Sequence, residues 1–319
     1  MQACDVVVRE VGPRDGLQSL RTVMPTADKL HWCRAEAAAG VPEIEVASFV
    51  PPALLPQLAD AAAVVTEALR IPGLTVAALV PNLRGARDAV AAGARKINCV
   101  VAVSEGHNRS NLRRSTGEAV AEIGRIVEFV RTVEPGRRPV VNVGLATSFG
   151  CTIDGAVPED DVRRLAATAR ELGADELQIA DTVGYGNPAA VRRLFSTILA
   201  DCGPGFTVGA HFHDTRGTGL ANVVAALDAG IRHFDSSLGG LGGCPYAPGA
   251  TGNIVTEDLV YMLEAMGLHT GIDLARLLEI RRFVEGVLPD ERFEGTLARA
   301  GVPKNFAPAG APSRALEAV

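Results

Sequence analysis

The stretch Glu176-Leu177-Gln178-Ile179-Ala180-Asp181-Thr182, then an apolar-periodic segment over 188–200, then Thr207-Val208-Gly209-Ala210-His211-Phe212-His213-Asp214, reads as strand, helix, strand. The same unit recurs outward in both directions. Strand-like runs fall at 6–11, 43–48, 75–80, 96–103, 139–146, 176–180, 207–213 and 233–238. Helix candidates lie between them and beyond at 27–39, 53–70, 84–92, 116–133, 158–172, 188–200, 217–229 and 254–266. Gly40, Gly73, Gly93, Gly173, Gly230 and Gly267 follow helical runs, where a left-handed C-cap belongs. Strands about 25 to 40 residues apart with helices between them build parallel sheets. Eight such units over about 270 residues fit an α/β fold of the closed (β/α)8 TIM-barrel type better than an open doubly wound sheet. No Gly-x-Gly-x-x-Gly follows the first strand, which weakens the open alternative further. The expectation is one barrel with an added C-terminal helix near 273–287, spanning residues 1–287, and a partly flexible tail over 288–319.

Composition narrows the function classes. Among 319 residues, 31 Lys+Arg stand against 37 Asp+Glu, a formal net charge of −6. That mild acidity, spread along the chain, argues against nucleic acid as a partner. No apolar run approaches the roughly 18 residues of a membrane helix, so no membrane partner is expected. The N-terminus lacks the basic and apolar regions of a secretory signal. Cysteines at 4, 33, 99, 151, 202 and 244 are too scattered for a disulfide framework. A reduced, cytoplasmic protein is expected.

In such barrels chemistry sits at the C-terminal ends of the strands. The first strand runs out into Gly12-Pro13-Arg14-Asp15-Gly16-Leu17-Gln18, a turn shaped by glycines and proline that presents a permanently charged guanidinium. A surface turn with a local ion pair is the other reading of that motif. On the second strand Glu43, Glu45 and Ala47 share one face by simple alternation, and Ile44, Val46 and Ser48 the other. Glu45 is the carboxylate needing a partner or a metal, while Glu43 is expected to be solvated at the strand start. His211 and His213, at i and i+2, point to one side as two metal ligands would, although a satisfied core pair would look the same. Asp181 ends the sixth strand, where it could bind substrate, act as a base or cap a turn. The eighth strand enters the glycine-rich loop Gly239-Gly240-Leu241-Gly242-Gly243-Cys244-Pro245-Tyr246-Ala247-Pro248-Gly249-Ala250-Thr251-Gly252-Asn253, unfit for a helix and suited to closing over a ligand. Its Cys244 is placed to move a proton, and the Asn253 amide oxygen to reach a metal. Asp15, His211, His213 and Asn253 together offer two imidazoles and two oxygens, a set suited to Mg2+ or Mn2+ rather than structural Zn2+. A divalent cation beside Arg14 stabilises an enolate, pointing to carbon–carbon cleavage or formation next to a carbonyl.

The motifs Gly12–Gln18, Ser48-Phe49-Val50-Pro51-Pro52, His211-Phe212-His213-Asp214 and the Gly239–Ala247 loop with Gly252-Asn253 closely resemble the 3-hydroxy-3-methylglutaryl-CoA lyase family, over about residues 5–287. The resemblance implies divalent-metal-dependent retro-Claisen cleavage of a branched 3-hydroxyacyl-CoA to acetyl-CoA and a keto acid, acetoacetate for the parent substrate. That is the chemistry of leucine degradation and ketone-body formation. Asp15, His211, His213 and Asn253 match the family's Mg2+ or Mn2+ ligands. Arg14 matches the arginine that neutralises the enolate, and Cys244 the loop cysteine that protonates the acetyl-CoA carbanion. Glu45 and Glu257 match acids that support the site, and Asp181 an acid near the substrate hydroxyl. Gln18, Ser48, Gln178 and Thr182 join Arg14 as expected acyl-CoA contacts, and a homo-oligomer, dimer or tetramer, is expected.

The chain departs from the family pattern in places. Gln178 stands where members carry Ser, Gly144 where they carry Tyr, and Cys151-Thr152-Ile153-Asp154-Gly155 where they read Cys-Pro-Tyr-Glu/Asp-Gly. The segment Ser104-Glu105-Gly106-His107-Asn108-Arg109-Ser110-Asn111 differs too. These changes bear on the acyl substrate and leave the reaction class intact. Citramalyl-CoA or a longer 3-hydroxyglutaryl-CoA is the alternative substrate. A Claisen-type acetyl-CoA synthase is a further alternative, disfavoured by Cys244 and by the lack of a long regulatory extension. An inactive scaffold would have lost a site residue, and none is missing.

Overall fold

The computed structural model describes residues 4–243 and 252–309. Eight strands, β1 (Val7–Glu10), β2 (Glu43–Ser48), β3 (Thr75–Leu79), β4 (Lys96–Ala102), β5 (Val140–Ala146), β6 (Glu176–Asp181), β7 (Thr207–Phe212) and β8 (His233–Ser236), pair in parallel and close as a barrel in sequence order. The helices around it are α1 (Thr26–Ala39), α2 (Ala61–Ala68), α3 (Leu83–Ala92), α4 (Glu105–Leu112), α5 (Thr116–Arg131), α6 (Glu159–Leu172), α7 (Pro188–Cys202), α8 (Gly219–Ala229), α9 (Thr256–Ala265), α10 (Leu274–Val287) and the short α11 (Leu297–Ala300). The expected TIM barrel is the fold.

Residues two apart on a strand share a face, and here the two faces differ in chemistry. Val8, Ile44, Val76, Ile97, Val143, Leu177, Ala210 and Phe234 are fully buried and pack under the helices. The barrel interior is instead polar. Lys96 Nζ lies 2.8 Å from Glu43 and 2.5 Å from Glu176, whose other neighbour, Arg9, is 2.8 Å away. Buried charges survive only when paired, so this network closes the barrel floor as one unit. Glu43 is therefore an ion-pair partner and not the solvated strand start expected above.

Four local differences have physical causes. The helix expected over 53–70 breaks into a short turn at Pro56–Leu58 and then α2, since Pro56 has no N–H to donate. Gly73 has φ 76 in a turn well past α2, whereas Gly40, Gly93, Gly173 and Gly230 are left-handed C-caps. Helix α4 had no apolar period to announce it; it is organised by Asn108, which donates to Ala102 O (2.6 Å) and accepts from Ala102 N (2.9 Å). The segment after α10 docks back on the barrel as far as residue 309. Leu288 and Leu297 are buried, Phe293 packs on Gly239 and the Phe306 ring lies 5.2 Å from that of Tyr261. The expected flexible end, 310–319, lies outside the described residues.

One irregularity re-aims a side chain. Glu45 pairs with Ala77 and Ser48 with Leu79, the register slipping by one residue between Glu45 and Ala47. Ala77 and Leu79 share a face, so this bulge carries Ser48 to the face of Glu45, against simple alternation.

Candidate active site

The exit of β1 forms a wide single turn, Gly12–Gly16, in which Asp15 N and Gly16 N both donate to Val11 O, at 2.6 and 3.3 Å. Gly12 is required there: a Cβ would lie 2.5 Å from Glu10 Oε1 and 2.7 Å from the Trp32 ring. Turns of this type cluster at functional sites, and this one turns Arg14 and Asp15 into the barrel mouth. Arg14 Nε donates to Glu45, Arg14 Nη1 to Asp15 Oδ1 at 2.6 Å, and Asn98 Nδ2 to Glu45 Oε1 at 2.8 Å. A chain of hydrogen bonds thus runs across three strand exits and locks the guanidinium plane.

Asp15, His211 and His213 each offer a ligand atom, all within 4.8 Å of one another. Asn253 Nδ2 donates to Asp15 Oδ2 at 2.7 Å and to Leu241 O at 3.0 Å, leaving its buried Oδ1 without a partner. The two Nε2 atoms of His211 and His213 face each other at 3.2 Å. His211 Nδ1 is 3.1 Å from Asp235 Oδ2, the contact expected of an Nδ1–H tautomer with a bare Nε2. An orphaned amide oxygen, a carboxylate and facing imidazole nitrogens fit a hard or borderline divalent cation with room for water. The four expected ligands are brought together.

The electrostatics agree with that reading. Burial alone would raise Asp15, but the charges of Arg14, His211 and His213 outweigh it and hold the carboxyl below the usual range. Burial, with the neighbouring His211, pushes His213 down to about 4, leaving it neutral at pH 7. Burial opposes charging of His211 too, yet the hydrogen bond and charge of Asp235 raise it. Asp235 thereby fixes the orientation of the His211 ring. Asp235→Asn is expected to weaken Mn2+ binding by about 10- to 100-fold; an unchanged Mn2+ titration would remove that role.

Other expected site residues occupy supporting places. Gln18 Nε2 donates to Asp15 Oδ1 at 2.6 Å, so it holds a ligand in place. Glu257 accepts from Gly239 N at 3.0 Å and from Arg281 Nη1 at 3.0 Å, anchoring the root of the glycine-rich loop. Asp181 takes the turn-capping arrangement, its oxygens accepting from Tyr185 N (2.8 Å) and Gly186 N (2.9 Å). Thr182 Oγ1 accepts from Thr147 N at 2.9 Å. Gln178 is buried at the barrel wall, its Oε1 accepting from Arg9 at 3.2 Å while Nε2 has no partner. Its strand neighbours are Gly144 and Gly209, and a Cβ on Gly209 would collide with it. A cavity of about 650 Å3, lined by Ser48, Phe49, Pro51, Asn82, Arg84 and Asp88, lies between the segment after β2 and helices α2 and α3, and neither Arg14 nor any of the four expected ligands lines it. Cys244 lies outside the described residues, whose chain stops at Gly243 and resumes at Gly252.

Sequence reasoning passed over Asp235, Glu10 and Asn98. Glu10 is an acid in a mostly apolar run, the same signal that singled out Glu45, whereas Asp235 lies among His233, Ser236 and Ser237 and carries no such mark. Thr147 carried no signal. It is a β-branched residue at φ 59, held by hydrogen bonds to Thr182, Ser104 and Ala146 O, and such strain clusters at functional sites.

A closed parallel barrel with a buried carboxylate, two imidazoles and a locked arginine at its mouth defines an α/β-barrel enzyme with a candidate divalent-metal centre. The profile of the HMGL-like family matches residues 5–284. The chain belongs to this HMGL-like family and, with its relatives, to the carbon–carbon lyases. It is 43% identical over 280 residues to a hydroxymethylglutaryl-CoA lyase of Bacillus subtilis, covering 88% of this chain and 92% of that one. It is 41% identical over 295 residues to an (R)-citramalyl-CoA lyase of Chloroflexus aurantiacus, covering 89% and 91%. Among solved structures, an HMG-CoA lyase from Acinetobacter baumannii in complex with coenzyme A and 3-methylmalate matches with a TM-score of 0.89 and 40% identity, over 97% of this chain and 99% of that one. In the described part of the chain, no helix is long and apolar enough to cross a membrane.

Proposed function

We propose that this lyase cleaves a 3-hydroxy-3-methylglutaryl-CoA-type thioester between C2 and C3, releasing acetyl-CoA and a keto acid. The observation that carries the reading is the gathering of Asp15, His211 and His213 beside an arginine held on two sides by carboxylates. These residues and Asn253 would hold Mg2+ or Mn2+, which would supply Lewis-acid polarisation of the substrate oxygens. Arg14 faces the thioester oxygen as negative charge develops there, its plane set by Glu45 and Asp15. Ser48, on the same face as Glu45, and the unpaired Gln178 Nε2 contact the acyl group. Asp181 and Thr182 shape the wall beside it, and Gln18 and Glu257 hold the turn and the loop root. Cys244 donates the proton that converts the acetyl-CoA carbanion to product.

A second reading, citramalyl-CoA as substrate, is favoured by one observation. Gln178 fills interior space between two residues without side chains, a wall unlike the Ser and Tyr of the resembled family. The test is a panel of hydroxymethylglutaryl-, isohexenylglutaryl- and citramalyl-CoA assayed for acetyl-CoA release with Mg2+ and with EDTA. The highest kcat/KM is expected with hydroxymethylglutaryl-CoA, abolished by EDTA. A higher value with citramalyl-CoA would transfer the assignment to the second reading, and release from none would overturn both.

A further inference from the structure

Behind the ligand set lies a cluster of acids of which only Glu257, at the loop root, has been given a part. Glu10, Glu36 and Glu257 all have no solvent exposure. Glu10 Oε1 accepts from Gly12 N at 2.6 Å and from Leu238 N at 3.0 Å, and its Oε2 accepts from Thr256 Oγ1 at 2.7 Å. One carboxyl therefore ties together the turn bearing Arg14 and Asp15, the exit of β8 and the start of α9, three residues beyond Asn253. Glu36 comes from α1, one helical turn after Trp32, whose ring also lines Gly12. Neither Glu36 oxygen has a hydrogen bond of normal geometry from a protein donor. Glu10 Oε1 and the Trp32 ring meet at Gly12, so the helical turn that carries Trp32 brings Glu36 to the Glu10 carboxyl, with Glu257 beyond.

Charge decides what such a contact can be. From α1 the pair is met by Cys33, itself pushed up by burial and by both acids, and by the exposed Arg34. From α9 it is met by Glu257, whose charge is answered by Arg281 of α10 at 3.0 Å, and Arg281 also binds Glu285 at 2.8 Å. Among the described residues no Lys or Arg pairs with Glu10, whose bonds all come from neutral donors, or with Glu36. Two ionised carboxylates in contact, dry and without a cation, cannot persist, so one proton must stay.

We propose that Glu36 is a positioning residue that shares one proton with Glu10, so that Glu10 holds the Arg14–Asp15 turn against the β8 exit and the start of α9. The catalytic meaning rests on the reaction assigned above; the shared proton does not. Burial, only partly offset by its hydrogen bonds, pushes Glu10 up to about 7, and burial with Glu10 pushes Glu36 well above the usual carboxyl range. The folded protein thus keeps protons that the unfolded chain releases above its ordinary glutamate value of 4.5. Stability contributed by the pair is present below that value and is lost as pH rises through about 7 and beyond.

The experiment compares the wild type with E36Q, whose amide can still donate to Glu10, and with E36M, which cannot donate. Infrared difference spectra at pH 7 should show a protonated carboxyl stretch in the wild type that is sensitive to D2O, fades on alkalinisation and is missing from E36Q. The wild type should lose thermal stability from pH 5 to pH 9 more steeply than E36Q. E36M should lose about tenfold or more in kcat with KM little changed, and E36Q should recover most of that loss with a flatter alkaline limb. Absence of a protonated carboxyl band in the wild type overturns the shared proton without recourse to any variant. Parallel stability–pH curves for wild type and E36Q overturn it as well. A confirmed band with E36M at wild-type kcat overturns the positioning role alone, and none of these spectroscopic or stability readouts depends on which acyl-CoA is cleaved.

Discussion

Arg14→Gln is expected to lower kcat by about 10²- to 10³-fold, the usual cost of removing a preorganised group aimed at developing negative charge. The geometry explains why so much rests on one side chain. Arg14 is bound by Glu45 on one edge and by Asp15 on the other, and Asn98 in turn holds Glu45. Nothing has to reorganise as the enolate forms, so the full charge is available in the transition state. Glutamine keeps some hydrogen bonding and loses the charge. Asp15 would lose the largest charge that offsets its burial, while His211, His213 and the Asn253 hydrogen bond remain to hold it down. Mn2+ affinity should therefore fall far less than kcat. Equal losses in both would recast Arg14 as a support for the ligand set. Arg14→Lys should recover only part of the rate, because an ammonium cannot span Glu45 and Asp15 as the planar fork does.

Cys244→Ala is expected to retain the fold and the metal site and to lose acetyl-CoA release by about 10²- to 10⁴-fold, the range for a lost general acid. The flanks of its loop are fixed. Gly239 N is bound by Glu257, Glu294 N donates to Gly239 O at 2.8 Å, and Gly252 O accepts from Asp214 N at 3.1 Å. A Cβ on Gly242 would collide with the Asn253 amide, so the described start of the loop lies directly against Asn253. These anchors do not involve the thiol, and its removal should leave melting temperature and Mn2+ titration unchanged. Turnover close to wild type would end the role given to Cys244 and shift attention to solvent as the proton donor.

Much of the site was legible because its residues lie at strand exits with recognisable chemistry. His211 and His213 share a face of β7 by simple alternation, and Gly12–Gln18 announces a shaped turn at the end of β1. Glu45 stood out as an acid in an apolar strand. Glu10 carries the same mark and Asp235 does not, and the partners that give them meaning, Thr256 and His211, are 246 and 24 residues away. Ser48 illustrates a different limit. Alternation places it opposite Glu45, and only the slipped pairing of β2 with β3 returns it to the site. Gln18 and Asp181 are expected to face the substrate; what only the structure adds is that they bond to Asp15 and to the 185–186 backbone.

The sequence by itself determined the barrel, since eight apolar runs at one spacing, separated by helical periods and closed by glycine caps, have few other ways to bury their surface. It also determined the chemical character of the mouth, because residue type and strand position are local properties. Which groups meet, and in what charge state, was decided by the tertiary structure alone. The pairing of Asp235 with His211, the floor of Arg9, Lys96, Glu43 and Glu176, and the bond from Thr256 to Glu10 each join residues from separate turns of the chain. Burial sets the cost of an unpaired charge and proximity sets its compensation; both are properties of distance in space, which spacing along the chain does not record.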